Sequence, residues 1–456
     1  MDFDLIHKSL VLAQEKAKQL NRHVLSVTRL SIDSPNILDL LEKNKERSDI
    51  NLWLGNSGHS LIGFGIAHEL IAKGINRFSL ISDAWKALIS DAITTGNGRP
   101  IAIGGFRFDI HQCHSELWKD FPDAVLTIPS ILIYSNLTKA NDLIISDLVT
   151  PQSNIENRLI ELKKFWTQIN LKKPSTPLQS TVKCNLQDET SIKENWSNLV
   201  HQALDDIRQQ KLTKVVIARS IHLKTDQPIS LSTVINKLRS NNPKACIFAF
   251  SRHHSYFVGA TPEILFSAKS GYFQTMALAG TAPRGNTPEE DYVLGSKLLR
   301  SIKDVTEHAL VVNTIKDTLT SLCSDIHMDD NPSLHKLPNV QHLITNFKGQ
   351  IKSNKNILDI ISQLHPTPAV GGIPSKTAMS FLRDHEKIDR GWYAGPVGWI
   401  DSDGNGEFMV ALRSGLFKDK QATLFAGCGI VAGSECESEF QETHLKFTTM
   451  INAIKN

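Results

Sequence analysis

Apolar residues along this chain follow two rhythms, one spaced as on helices and one as in buried strands. Residues 1–20, "MDFDLIHKSLVLAQEKAKQL", read as an amphipathic helix. Strand-like runs at "LIGFGIA" (61–67), "PIAIGGFRF" (100–108) and "SILIYSN" (130–136) mix with helices, among them "ENRLIELKKFWTQI" (156–169). The segment "LKKPSTPLQS" (171–180) then concentrates Pro, Ser and Thr and reads as a linker. Beyond it come a helix around "ENWSNLVHQALDDIRQQ" and strands at "TKVVIARS", "CIFAFSR", "YFVGATPEILFSA" and "GYFQTMALAG". This divides the chain into an N-terminal part, 1–190, and a C-terminal part, 191–456.

Two long helices are expected among the later strands. The first opens at Thr287-Pro288-Glu289-Glu290, a capping box with proline at the first helical position. Leu298, Ile302, Val305, Ala309 and Val312 continue it as an apolar stripe. The second opens near Ser434, with Glu437 three residues on as a second capping box. Phe440, Phe447, Met450, Ile451 and Ile454 supply its apolar face. Strand runs outside a regular βαβ alternation argue for an α+β fold with antiparallel sheets.

Composition narrows the function classes. The length allows a large core and two to three domains, and 41% hydrophobic with 21% charged residues is ordinary for a folded soluble protein. A net charge of +3, with no block of like charge, gives no support for a nucleic-acid or membrane-surface partner. The N-terminus begins acidic and lacks a secretion signal, and no apolar stretch approaches the ~20 residues needed to span a bilayer. Six scattered cysteines without a CxxC pair fit free thiols in a reducing cytoplasm.

Several stretches carry candidate chemistry. Asp304 and Glu307 share one helix face, and Glu439 and Glu442 repeat the spacing on the second helix. Two such pairs could close on one Mg²⁺, which takes oxygen ligands, keeps waters and often shares a substrate anion. The same spacing is common on solvated helix faces, and Lys446 could simply pair with Glu442. "LFAGCGIVAGS" reads as a strand followed by a turn at Gly427 and Gly429, whose N–H groups could cradle a carboxylate. Glycines and glutamates would then hold one anion from two sides, through a cation between them. Lys214 shares a strand face with Val216 and Ala218, so it is either a desolvated base or a strand-end lysine reaching water. Glu263, after a Thr-Pro turn, is either a buried acid or a turn carboxylate. "HPTPAVGGIPS" (365–375), with prolines at 366, 368 and 374, cannot be a regular element and could shape a pocket. Arg413 stands in an apolar strand, suited to carboxylate binding or a structural ion pair. "HQCHSE" (111–116) has metal-ligand residue types at a spacing that suits no common site.

Taken in order, "TKVVIAR", "GATPEILF", "ALAGTAPRG", "DVTEHALVVNTI", "HPTPAVGG", "RGWYAGPVGW", "VALRSG", "LFAGCGIV" and "SEFQETHLKF" resemble the chorismate-binding enzymes. That family includes anthranilate, aminodeoxychorismate, salicylate and isochorismate synthases. The resemblance is strong over about 195–450 and loose before it. It implies one α+β domain, with two large antiparallel sheets packed together, helices outside and a deep active-site cleft, so that both parts of the chain contribute strands. It also implies Mg²⁺ held by Glu307 and Glu442, with Asp304 and Glu439 helping through waters. Gly280, Thr281 and Lys446 would back the ring carboxylate of chorismate. Arg413, Tyr393 and the Gly427–Gly429 stretch would hold its enolpyruvyl carboxylate.

Lys214 matches the lysine that activates water in the water-using members, and Glu263 the acid that protonates the departing C4 hydroxyl. The loop with His365, Ala369 and Val370 resembles that of isochorismate synthases and is counted with the substrate-binding residues. The resemblance therefore implies Mg²⁺-dependent isomerisation of chorismate to isochorismate by a monomer, in the cytoplasm that the free cysteines suggest. Salicylate synthase, which goes on to eliminate pyruvate, is the alternative. Cys428 departs from the usual alanine, and His444 and Leu445 depart from many relatives; the metal assignment does not depend on them.

Overall fold

A computed structural model describes residues 2–33, 36–56, 58–112, 114–136, 141–171 and 189–455. The expected linker lies, after residue 171, outside the described residues. The strands form two large sheets. The first runs through Gly372–Ile373, Lys214–Lys224, Gln421–Val431, Ser414–Lys418, Ser255–Thr261 and Cys246–Arg252. It continues into Ile50–Leu54, His59–Phe64, Ile131–Asn136, Asn141–Val149, Val24–Ile32 and Ile93–Thr95. The second runs through Cys323–Met328, Val340–Ile351, Tyr272–Pro283, Ile264–Lys269, Gly406–Val410 and Pro396–Asp401 into Ile101–Phe106, Ala124–Ile128 and His68–Ala72. Pairing is antiparallel except between Val24–Ile32 and Ile93–Thr95. Strands from either side of residue 190 share both sheets, joined at Phe248↔Trp53 in one and Trp399↔Ile103 in the other.

The strand Cys246–Arg252 shows why so many runs are continuously apolar. Cys246, Phe248 and Phe250 pack between the sheets, whereas Ile247 and Ala249 pack in a second core that also holds residues of the outer helices. A strand covered on both faces has no polar side to alternate with. Helices Phe3–Leu20, Leu231–Asn241 and Cys436–Ile454 bury Leu10, Ile235 and Phe447 in that second core. No helix among the described residues is long and apolar enough to cross a membrane.

Several local expectations need correction. "YFVGATPEILFSA" is two strands: Ser255–Thr261 lies in the first sheet and Ile264–Lys269 in the second. Proline cannot donate to a ladder, and the chain crosses between sheets at Pro262-Glu263. The helix from Thr287 is also two, Pro288–Arg300 and Ile302–Leu322. Ser301 breaks it with an extended backbone, and its hydroxyl caps the second helix by accepting from Asp304 N at 3.2 Å. The break turns the apolar stripe: Ile302 is 86% exposed, while His308, Val311, Val312 and Ile315 face inward. The last helix begins at Cys436 without a side-chain cap. Ser434 instead accepts from Val431 N, and Glu437 pairs with Lys193 at 2.7 Å. Finally, the proline-rich loop does contain a short strand, Gly372–Ile373, bonded to Lys214 and Val215.

Candidate active site

Lys214 opens a strand buried along most of its length, and its side chain is 1% exposed. A lysine nitrogen so placed needs a polar partner. Lys214 Nζ lies 2.7 Å from Glu307 Oε1, presented by the helix Ile302–Leu322. Room for this contact comes from Gly429, which faces Val216 across the ladder. A Cβ at 429 would lie 2.8 Å from Glu307 Oε1 and 3.0 Å from Lys214 Cε. Gly427 is kept open likewise, since a Cβ there would meet Ile217 O at 2.7 Å and Tyr393 Oη at 3.3 Å. Both glycines lie inside the strand Gln421–Val431, so the expected anion-holding turn is not formed there. Their lack of side chains makes space, and because Val216 and Ala218 turn their own backbone groups to the far edge, the facing glycines' N–H groups are not spent on that ladder.

The helix Cys436–Ile454 brings the second acidic pair. Lys446 Nζ reaches Glu442 Oε1 at 2.5 Å and Gly427 O at 2.8 Å. One turn before Glu442, buried Glu439 pairs with Lys303 at 3.1 Å, which ties the two carboxylate-bearing helices together. Burial raises the Asp304 carboxyl, and the charges of Glu307 and Glu442 add to that. Glu439 is raised by burial and by Glu442. Negative charge therefore gathers where the helices meet, although no three described side chains converge as a ready-made metal cage. Mg²⁺ is held through one or two carboxylates with several waters retained, and Glu307 with Glu442 fits that requirement.

Glu263, at the crossing between sheets, is fully buried. Burial pushes its carboxyl up to about 7, against the pull of Lys214, Arg413 and Lys446. Arg413 is not within a strand: it lies between Gly406–Val410 and Ser414–Lys418 with φ at +47°. Such a backbone is costly for arginine, and the residue is held by its surroundings. Its guanidinium approaches His342 Nε2 at 3.3 Å, while His342 Nδ1 is 3.2 Å from Gly280 O. Burial, with the charges of Arg413 and Lys446, keeps His342 far below its ordinary pKa and therefore neutral. The imidazole accepts from Arg413 at Nε2 and donates from Nδ1 to Gly280 O. Gly280 occupies a bulge with φ at +75°, a conformation that glycine adopts without steric cost.

One cavity is lined by Lys214, Glu263, Gly280, Thr281, Glu307, Ala369, Val370, Tyr393, Arg413, Gly427, Gly429, Glu442 and Lys446. Asp304 and Glu439 stand a helical turn behind Glu307 and Glu442, outside its wall. His365 is also outside: burial pushes it down to about 3, and its neutral ring bonds Phe108 O at 2.9 Å beside the Phe108 ring. Tyr393 is buried, with its ring stacked on Phe425 at 5.2 Å. Sequence reasoning missed His342 and Arg390, which also line the cavity. His342 could have been noticed as a polar residue in the apolar run "VQHLIT", and Arg390 by its place four residues after Glu386.

A family model described as a chorismate binding enzyme matches residues 11–455. The salicylate biosynthesis isochorismate synthase of Pseudomonas aeruginosa is 35% identical over 443 residues, covering 96% of this chain and 92% of that protein. Isochorismate synthase MenF of Bacillus subtilis is 32% identical over 460 residues, covering 98% and 97%. In fold, the chain is similar to the menaquinone-specific isochorismate synthase MenF of Escherichia coli, with a TM-score of 0.79, 24% identity and coverage of 98% and 100%. On the family match and the full-length relatives, the chain belongs to the chorismate-binding enzyme family.

Proposed function

We propose that this protein is an isochorismate synthase, an isomerase that moves the ring hydroxyl of chorismate from C4 to C2. The observation that carries the reading is a buried lysine and a buried carboxyl raised to about 7, both in the wall of one cavity. Lys214 would take a proton from water as its oxygen bonds to C2. The ring double bonds shift, the C4–O bond breaks, and Glu263 gives its proton to the departing hydroxyl. Water enters and water leaves, so the product is an isomer of the substrate. A carboxyl near 7 suits the acid, because hydroxide is a poor leaving group and an ionised glutamate has no proton to give.

Arg413, its free donors steered by neutral His342, would hold one substrate carboxylate, with Tyr393 beside it. Glu307 and Glu442 would hold Mg²⁺, with Asp304 and Glu439 acting through waters. When bound, Mg²⁺ supplies positive charge at the ring carboxylate as electrons shift through the diene. Salicylate synthase is not favoured, since the full-length relatives are named as isochorismate synthases. The test is incubation of purified protein with chorismate, with and without Mg²⁺, followed by chromatography. Mg²⁺-dependent isochorismate supports the reading; salicylate with pyruvate, or no product, refutes it.

A further inference from the structure

The strand that carries Lys214 has an edge that its neighbour covers only in part. Gly372–Ile373 pairs with Val215 and Lys214, and Gly371 O accepts from Val216 N at 2.8 Å. Further along, the proline-rich loop turns away, and two backbone groups on that edge bond side chains. Val216 O accepts from Arg390 Nη2 at 2.7 Å, and Ala218 N donates to Glu386 Oε2 at 2.8 Å. Arg390 grips Glu386 through Nε at 2.6 Å and Nη2 at 2.7 Å, and both side chains are 1% exposed. The remaining arm, Nη1, donates to Val370 O at 2.9 Å. One guanidinium therefore ties the loop bearing Val370 to the strand bearing Lys214, and Val216, Val370 and Arg390 all line the cavity.

An edge that needed only covering could be met by a longer strand, without burying two charges. We propose that Glu386 and Arg390 are positioning residues for the reaction: standing in for a neighbouring strand, they fix the distance between the Lys214 strand and the Ala369–Val370 loop. This rests on the isochorismate synthase reading of the same cavity.

Arg390→Lys keeps the charge but cannot serve both carbonyls and both carboxylate oxygens. In the full-length chain it should lower kcat about a hundredfold with KM within about threefold, because misplacement harms the transition state more than binding. Hydrogen exchange should quicken in peptides spanning 214–220 and 366–373, and stay unchanged in 246–261. Glu386→Gln should give the same local exchange, and free guanidinium should restore part of the turnover of Arg390→Ala. Wild-type kcat in Arg390→Lys, or exchange that quickens across the whole chain, would overturn the proposal. The exchange readout does not depend on the product, so a wild-type protein making no isochorismate would sink the functional reading alone.

Discussion

Replacing Glu263 by glutamine should stabilise the protein in alkaline solution while disabling it. The carboxyl sits fully buried, and burial raises it from 4.5 to about 7. At about 1.4 kcal/mol per pH unit, ionising it inside the folded protein costs roughly 3 kcal/mol more than in the unfolded chain. The sign follows from proton counting. Below pH 4.5 both states are protonated and the group costs nothing. Between 4.5 and about 7 the folded state binds more protons than the unfolded one, so stability falls as pH rises. Above 7 the full penalty applies. Glutamine cannot ionise, so Glu263→Gln should match wild type at about pH 4 and exceed it at about pH 8 by up to about 3 kcal/mol, several degrees in melting temperature. Paired thermal melts of the two proteins across pH cancel every other titrating group. Turnover should drop by roughly 10²–10⁴, as expected on losing a general acid, and wild-type kcat should decline above pH 7. A melting difference independent of pH, or a wild type more stable than the variant at pH 8, would refute the buried-acid assignment.

Other outcomes can be checked alongside. Lys214→Ala should cut turnover by about 10²–10⁴ while calorimetry finds chorismate binding little changed, and unchanged turnover would remove Lys214 as the base. Gly429→Ala puts a Cβ 2.8 Å from Glu307 Oε1 and should lower kcat at least tenfold, about what a displaced catalytic group costs, with circular dichroism unchanged. Glu307→Gln should weaken Mg²⁺ binding by calorimetry together with activity; activity with an unaltered metal requirement would dismiss the metal site.

Much of the fold and the site was legible because strong local patterns coincided with tertiary needs. The buried strand at "TKVVIARS" and the spacing of the acidic pairs both depend on short-range periodicity, which a sequence displays directly. What stayed hidden depends on space. Gly427 and Gly429 suggest a turn, yet they lie within a strand, and glycine is needed there because Glu307, Lys214 and Tyr393 approach too closely for side chains. The break at Ser301 is masked because helical spacing resumes at once on a rotated face. Glu263 gains its high pKa from a crossing between sheets, and nothing in "TPEILF" reports which sheet each half joins. His342 and Arg390 matter through partners distant in sequence, Arg413 and Gly280 for one, Val216 and Val370 for the other.

The most direct test of water attack at C2 is turnover of chorismate with Mg²⁺ in ¹⁸O-labelled water, read by mass spectrometry of the product. One solvent oxygen on the ring of isochorismate, with the enolpyruvyl group retained, is the predicted result. Isochorismate carrying only the substrate's own oxygen, or salicylate with released pyruvate, would contradict it.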